Sequence, residues 1–416
     1  METAAVNPIS AGDTAWVLVS SALVLLMTAP GLALFYGGMV RRKNVLGVLM
    51  QCFISLALIS VLWVVYGYSL AFGKGSSFIG GLGWFMLHGV GQDANADYAA
   101  TIPHLAFMIF QTMFAVITPA LIIGSFAERM KFSSFLVFTT LWLTFVYCPI
   151  AHMVWGVDGF LHKLGSLDFA GGTVVHMNAG IAGLVTALYL GKRVGGVDKP
   201  GMHNVPLVVI GASLLWFGWF GFNAGSALAA NGLAANAFVT TNTATAAAAL
   251  SWAAMEWIFA GKPTMVGAAS GAVAGLVAIT PACGFVDVGG SLWIGFLVSV
   301  FCYFMVAFAK PKLGYDDTLD AFGIHAIGGF WGAMATGLFC TTVVNSAGAN
   351  GLFAGNPAQV WKQFMACGTT FLYDAIATLI ICFVVDKVMG LRVSQEQEVM
   401  GLDLTQHHER AYTIIE

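Results

Sequence analysis

Apolar runs long enough to cross a bilayer recur eleven times along this 416-residue chain. Hydrocarbon offers no water to the backbone, so a spanning segment must satisfy its own N–H and C=O groups as a helix or a closed barrel. A helix needs roughly 20 apolar residues, a barrel strand about half that. Windows of about 19 residues place the spans near 14–40, 46–73, 104–127, 134–157, 169–191, 205–228, 235–260, 264–282, 290–309, 318–342 and 358–389. The Ala-rich seventh has the weakest hydropathy. The stretch near 80–90 is too short to cross and reads as an interfacial piece. Only 9% of residues are charged, against about 25% in soluble domains. The expected fold is an all-α polytopic membrane protein of eleven transmembrane helices, residues 1–390, with a polar tail, 391–416.

Basic residues orient the bundle. Loops between odd and even spans, together with the C-terminus, carry 14 of the 17 Lys and Arg residues; the opposite side carries only Lys74, Lys163 and Lys362. Because basic residues favour the cytoplasmic side, the N-terminus is expected outside and the C-terminus in the cytoplasm. An odd number of helices requires the same arrangement. The N-terminus lacks the basic region of a signal peptide, so the first span is expected to be retained.

Two histidines stand inside apolar segments: His176 in span five and His325 in span ten. An ionisable group at that depth is costly and marks a pathway more often than a packing accident. Five spans per half gives the halves opposite orientation, an inverted 5+5 repeat with its site near the midplane. Span eleven lies outside the repeat. Each half places an aspartate ahead of its histidine: Asp168 before His176 and Asp320 before His325. Two buried imidazoles hydrogen-bonded within the bundle are the bland alternative. Seven cysteines without C-x-x-C spacing read as small buried apolar residues. No nucleophile–base pair, phosphate loop or metal cluster stands out, so the sequence points to no enzyme, cofactor or metal. No basic patch points to nucleic acid.

Several motifs share one likeness. D-F-A-G-G-T-V-V-H (168–176), G-L-A-L-F-Y-G-G-M-V-R-R-K-N-V-L (31–46), G-W-F-G-F-N-A-G-S (218–226), D-A-F-G-I-H (320–325) and the G-L-D tail motif near 401 resemble the ammonium transporter, methylammonium permease and Rhesus protein family. They occur in family order, and the bacterial transporter branch fits best. The resemblance implies a homotrimer with a pore through each protomer and ammonium as substrate. It implies Phe110, Trp155 and Ser226 at an outer recruitment site, and Phe114 and Phe222 as a gate. It implies His176 and His325 along the pore, with electrogenic transport. It also implies a tail that couples subunits and a PII-type signalling partner at the cytoplasmic face. His408 stands where the family has Gly, which puts that tail conformation in question. A sensor with little flux and a passive gas channel are the competing functions.

The spacing agrees with those roles. Phe110 and Phe114 are four apart, as are Phe222 and Ser226, and so share a helix face. Aromatic faces attract a cation at modest desolvation cost. An apolar pore then admits ammonia but opposes a bare ion, whose transfer costs tens of kcal/mol, roughly. Asp168 is eight residues before His176, about 12 Å along a helix. It reads as an N-cap, as a charge favouring a cation, or as both. Asp320 reads as a cap or structural partner. Glu128 and Arg129 read as a solvated or capping pair, and Glu256 as a partner of Lys262 or a loop. Asp374, mid-span, requires a partner or a proton.

Overall fold

The computed structural model describes residues 9–195 and 202–412. Nine helices among them are long and apolar enough to cross a membrane. These are α1 (Ala11–Met39), α2 (Arg42–Phe72), α3 (His104–Phe126), α4 (Phe132–Leu164), α5 (Gly172–Leu190), α6 (Val205–Gly225), α9 (Val288–Leu313), α10 (Phe322–Phe339) and α11 (Ala358–Met389). Two further helices complete the bundle: α7 (Gly232–Ala260), rich in Ala and Thr, and α8 (Met265–Ile279), of only 15 residues. Every expected span has a helix. Lys199, one of the orienting basic residues, lies outside the described residues.

Side chains start the helices where the first turn leaves N–H groups without partners. Ser10 caps α1, Asn204 caps α6, Asn231 caps α7, Thr264 caps α8 and Asp287 caps α9. The interfacial stretch forms a short turn at Phe85–Leu87. It is followed by a small antiparallel hairpin, β1 (Ala94–Asn95) and β2 (Ala99–Pro103), pairing Ala94 with Pro103 and Asn95 with Ala99.

π-helical turns interrupt α4 at Leu143–Tyr147 and α9 at Met305–Ala309, and open α5 at Gly172–Met177 and α10 at Phe322–Ala326. Helices four and nine, and five and ten, are the pairs a 5+5 repeat makes equivalent. π-helical turns also lie in α1 at Met27–Leu32 and in α2 at Trp63–Gly67, without counterparts in α6 and α7. Single π turns mark functional sites more often than ordinary helix does. Here each histidine sits in one.

The aspartate that caps the start of α10 is Asp317, which the sequence analysis did not single out. Asp317 Oδ1 accepts Ala321 N–H at 3.1 Å and Oδ2 accepts Phe322 N–H at 2.8 Å. Asp317 precedes His325 by eight residues, the separation of Asp168 from His176. Asp320 instead pairs with Lys310 at 2.5 Å. Of the two roles the sequence left open for Asp320, cap or structural partner, it has the second; the chain turns between Asp320, at φ 60°, and the helix, which brings Asp317 under the first N–H groups.

One end of the bundle gathers the basic residues and clasps the tail. Glu128 and Arg129 are buried rather than solvated. Glu128 receives Arg41 at 2.8 Å and Arg193 at 3.0 Å, and Arg193 bridges on to Asp316 at 2.9 Å. Arg129 donates to Thr318 Oγ1 at 2.7 Å and to the Asp316 carbonyl at 2.5 Å. Burial pushes the Glu128 carboxyl up, but Arg41 and Arg193 outweigh it and hold it below its ordinary value. Burial pushes Asp317 up to about 6, with Lys310 opposing and Asp320 reinforcing. Glu256 binds the loop, accepting from Thr264 N at 2.6 Å.

The tail forms α12 (Gln395–Met400), opened by a Ser394–Gln397 capping box, and α13 (Leu402–His407). Arg392 pairs with Glu398 at 2.8 Å. Asp403 Oδ1 accepts Gly47 N–H at 2.9 Å, capping the start of α2 across the fold. His408 ends α13 at φ 55°, a left-handed conformation, which explains the Gly expected there.

Candidate functional site

Close packing of α5 on α10 brings the two histidines together. A Cβ on Gly180 would stand 2.3 Å from Ala326 N, and one on Gly329 would stand 2.7 Å from the Gly172 carbonyl. Only glycine permits that approach, the small-residue contact that membrane helices use in place of a hydrophobic driving force. The His176 and His325 rings then lie 5.5 Å apart, centroid to centroid, with planes 20° apart.

Both rings are buried, at 0% and 3% exposure. Neither nitrogen of His176, nor Nδ1 of His325, has a protein hydrogen-bond partner. This removes the bland alternative of imidazoles satisfied within the bundle. Buried polar groups are nearly always paired, so an unpaired set at a bundle centre calls for a polar guest. The imidazoles can offer it both donor and acceptor nitrogens.

A ladder of rings runs from this pair to the partly exposed Trp155. His176 lies 6.0 Å from Phe222. Phe222 stacks on Phe114 at 4.2 Å and 23°. Phe114 meets Phe110 at 4.9 Å and Trp155 at 5.9 Å, both edge to face. Phe110, Phe114 and Phe222 are fully buried; Trp155 and Ser226 are partly exposed. Ser226 donates its hydroxyl to the Phe222 carbonyl at 2.8 Å. It can therefore still accept from a guest. Phe110, Phe114, Trp155, Phe222, Ser226, His176 and His325 thus form one connected set of contacts.

Asp168 sits beside that path as an N-cap. Oδ1 accepts Gly171 N–H at 2.8 Å and Gly172 N–H at 2.6 Å. Oδ2 accepts Thr173 N–H at 2.8 Å, Val174 N–H at 3.3 Å and the Thr173 hydroxyl. The Asp168 carbonyl also receives Trp155 Nε1–H at 2.8 Å, so the residue orients the indole as well.

Sequence reasoning missed Trp219. Its ring stacks on His176 at 5.2 Å and 21°, while Nε1 donates to Thr280 Oγ1 at 2.8 Å. The G-W-F-G-F segment held the signal: Trp219 lies three residues before Phe222, on the same helix face.

The fold and the site together define a polytopic membrane protein with two unpaired imidazoles buried behind an aromatic constriction. The family model described as Ammonium Transporter Family matches residues 15–412. An ammonium transporter of Bacillus subtilis is 54% identical over 401 residues, covering 96% of this chain and 98% of the relative. The crystal structure of Saccharomyces cerevisiae Mep2 superposes with a TM-score of 0.88 at 37% identity, over 94% of this chain and 89% of that one. A solved "Sensor Amt Protein" gives 0.87 at 26% identity, over 95% and 98%. This chain belongs to the ammonium transporter family, and it is a multi-pass protein of the cell membrane.

Proposed function

We propose that this protein recruits ammonium at an outer vestibule formed by Phe110, Trp155 and Ser226, with Asp168 holding the indole and the start of α5. Ammonium gives up its proton there. Neutral ammonia then passes the Phe114–Phe222 pair, which must part, and moves along His176 and His325. The proton crosses by a separate route, so transport is electrogenic. The observation that carries this reading is the pair of buried, unpartnered imidazoles at the end of an aromatic ladder. Potassium cannot shed its charge, and the same apolar path rejects it because desolvating a fixed ion is prohibitive.

The architecture of this proposal is eleven spans, N-terminus outside and C-terminus cytoplasmic. Residues 1–390 form the membrane domain and 391–416 a cytoplasmic tail. Three copies assemble, each with its own pore, and a PII-type signalling protein docks on the face that carries the tail.

The test is charge movement after an ammonium jump on proteoliposomes, with protein-free liposomes and a potassium jump as controls. A sustained, ammonium-specific current is expected, and loss of it in the His176→Ala, His325→Ala double variant. Full selective transport by a folded double variant would exclude the imidazole path. A second reading, a sensor, draws on the likeness to the sensor structure; binding without flux would favour it. An ammonia-driven pH change without current would favour a passive gas channel.

A further inference from the structure

Asp374 takes no part in the path described above. It lies midway along α11 and is 0% exposed. Thr378, one turn on, donates its hydroxyl to Asp374 Oδ1 at 2.5 Å. Thr378 in turn accepts Nε1–H of Trp142, on α4, at 3.0 Å. The other carboxyl oxygen, Oδ2, is buried with no partner.

No cation answers the carboxyl. Among the described residues Asp374 forms no salt bridge with lysine, arginine or histidine. The titratable groups beside it are Tyr373 and Cys382 on its own helix. Tyr373 gives its hydroxyl to the Phe145 carbonyl at 2.7 Å, and the Cys382 thiol lies 3.9 Å from Thr186 Oγ1 on α5. Neither supplies positive charge. Around Asp374, α4 presents Trp142 and α5 presents Thr186 and the Ala182 backbone, and α10 also packs on α11; none of these brings a cation within salt-bridge distance of the carboxyl.

A carboxylate buried at bilayer depth without a cation is among the costliest groups a protein can hold, and taking up a proton removes its charge. We propose that Asp374 is a proton-binding site inside the membrane, separate from the twin-histidine path, with the proton carried on Oδ2. Each protein takes one proton from solution: carboxylate plus hydronium gives carboxylic acid plus water. The donor chain from Trp142 through Thr378 ends on Oδ1 and leaves Oδ2 as the only oxygen without a donor. Successive donors polarise one another, which strengthens the bond to the Oδ1 carbonyl.

The test is infrared spectroscopy of the full-length protein in lipid, in H2O and D2O at neutral pH. The wild type is expected to show the carbonyl stretch of a protonated carboxyl, sensitive to deuterium. Asp374→Asn is expected to lack that band and to keep its ammonium-driven current. Thr378→Val is expected to keep the band but shift it to higher frequency, because the carbonyl loses its donor. A band unchanged in Asp374→Asn, with a carboxylate band lost instead, would overturn the proposal. If the Asn variant does not fold, an unshifted or absent band in Thr378→Val overturns it. A folded Asn variant without current would overturn the separation from the path.

Discussion

At the scale of single residues, two positions show how one side chain sets local backbone. Asp168 uses both oxygens on the N–H groups of Gly171 to Val174. Asparagine has one acceptor oxygen, so it keeps half the cap and turns an NH2 toward the donors of the other half. Asp168→Asn therefore perturbs charge and capping together. It should cost about 3 kcal/mol, the upper range for buried donors left unpaired, read as a lower melting temperature in detergent. His408 is the converse. A left-handed conformation costs a non-glycine residue about 1 kcal/mol or more. His408→Gly should relax that strain and slow hydrogen exchange in α13; unchanged exchange would show that the strain is relieved elsewhere.

At the scale of elements, an ion cluster at one end of the bundle ties α2, α3, α5 and α10 together through Arg41, Glu128, Arg193 and Asp316. Glu128 occupies φ 75°, a strained position that its two arginines offset. Its carboxyl titrates below the ordinary 4.5 when folded. Such a group binds more protons unfolded than folded in that interval, so stability is full above about pH 4.5 and is lost as pH falls through the lower folded value. Melting curves should show this acid slope in the wild type and a reduced slope in Glu128→Gln. At neutral pH the variant should be less stable by about 3 kcal/mol, since it leaves a buried guanidinium short of charge. The cluster was illegible in sequence. Glu128 and Arg129 follow a membrane helix and read as a solvated or capping pair, because nothing local reveals that Arg193 and Asp316 come to meet them.

At the scale of the whole molecule, the distribution of basic residues predicts sidedness. Lys163 is exposed at the end opposite the ion cluster, and Lys387 is exposed near it. The seven native cysteines are all buried, so introduced cysteines should report cleanly. In intact cells a membrane-impermeant thiol reagent should label Lys163→Cys and should reach Lys387→Cys only after lysis. The reverse pattern would invert the orientation.

Much of this protein follows from sequence because a bilayer leaves a chain few options. Apolar length demanded helices, since hydrocarbon satisfies no backbone group. The two histidines stood out in the sequence itself; the roles of Phe110, Phe114, Phe222 and Ser226 followed from the family resemblance, with which their four-residue spacings agree. Tertiary structure decided the rest. Only the Gly180 contact with α10 explains why the imidazoles come within 5.5 Å of each other. Only the packed bundle shows that they have no partners, that Trp219 stacks on one of them, and that Asp317 rather than Asp320 is the second cap. The physical reason is that spans are written in local hydropathy. A shared site is made by contacts between residues far apart in the chain, and one span's composition carries no record of what faces it.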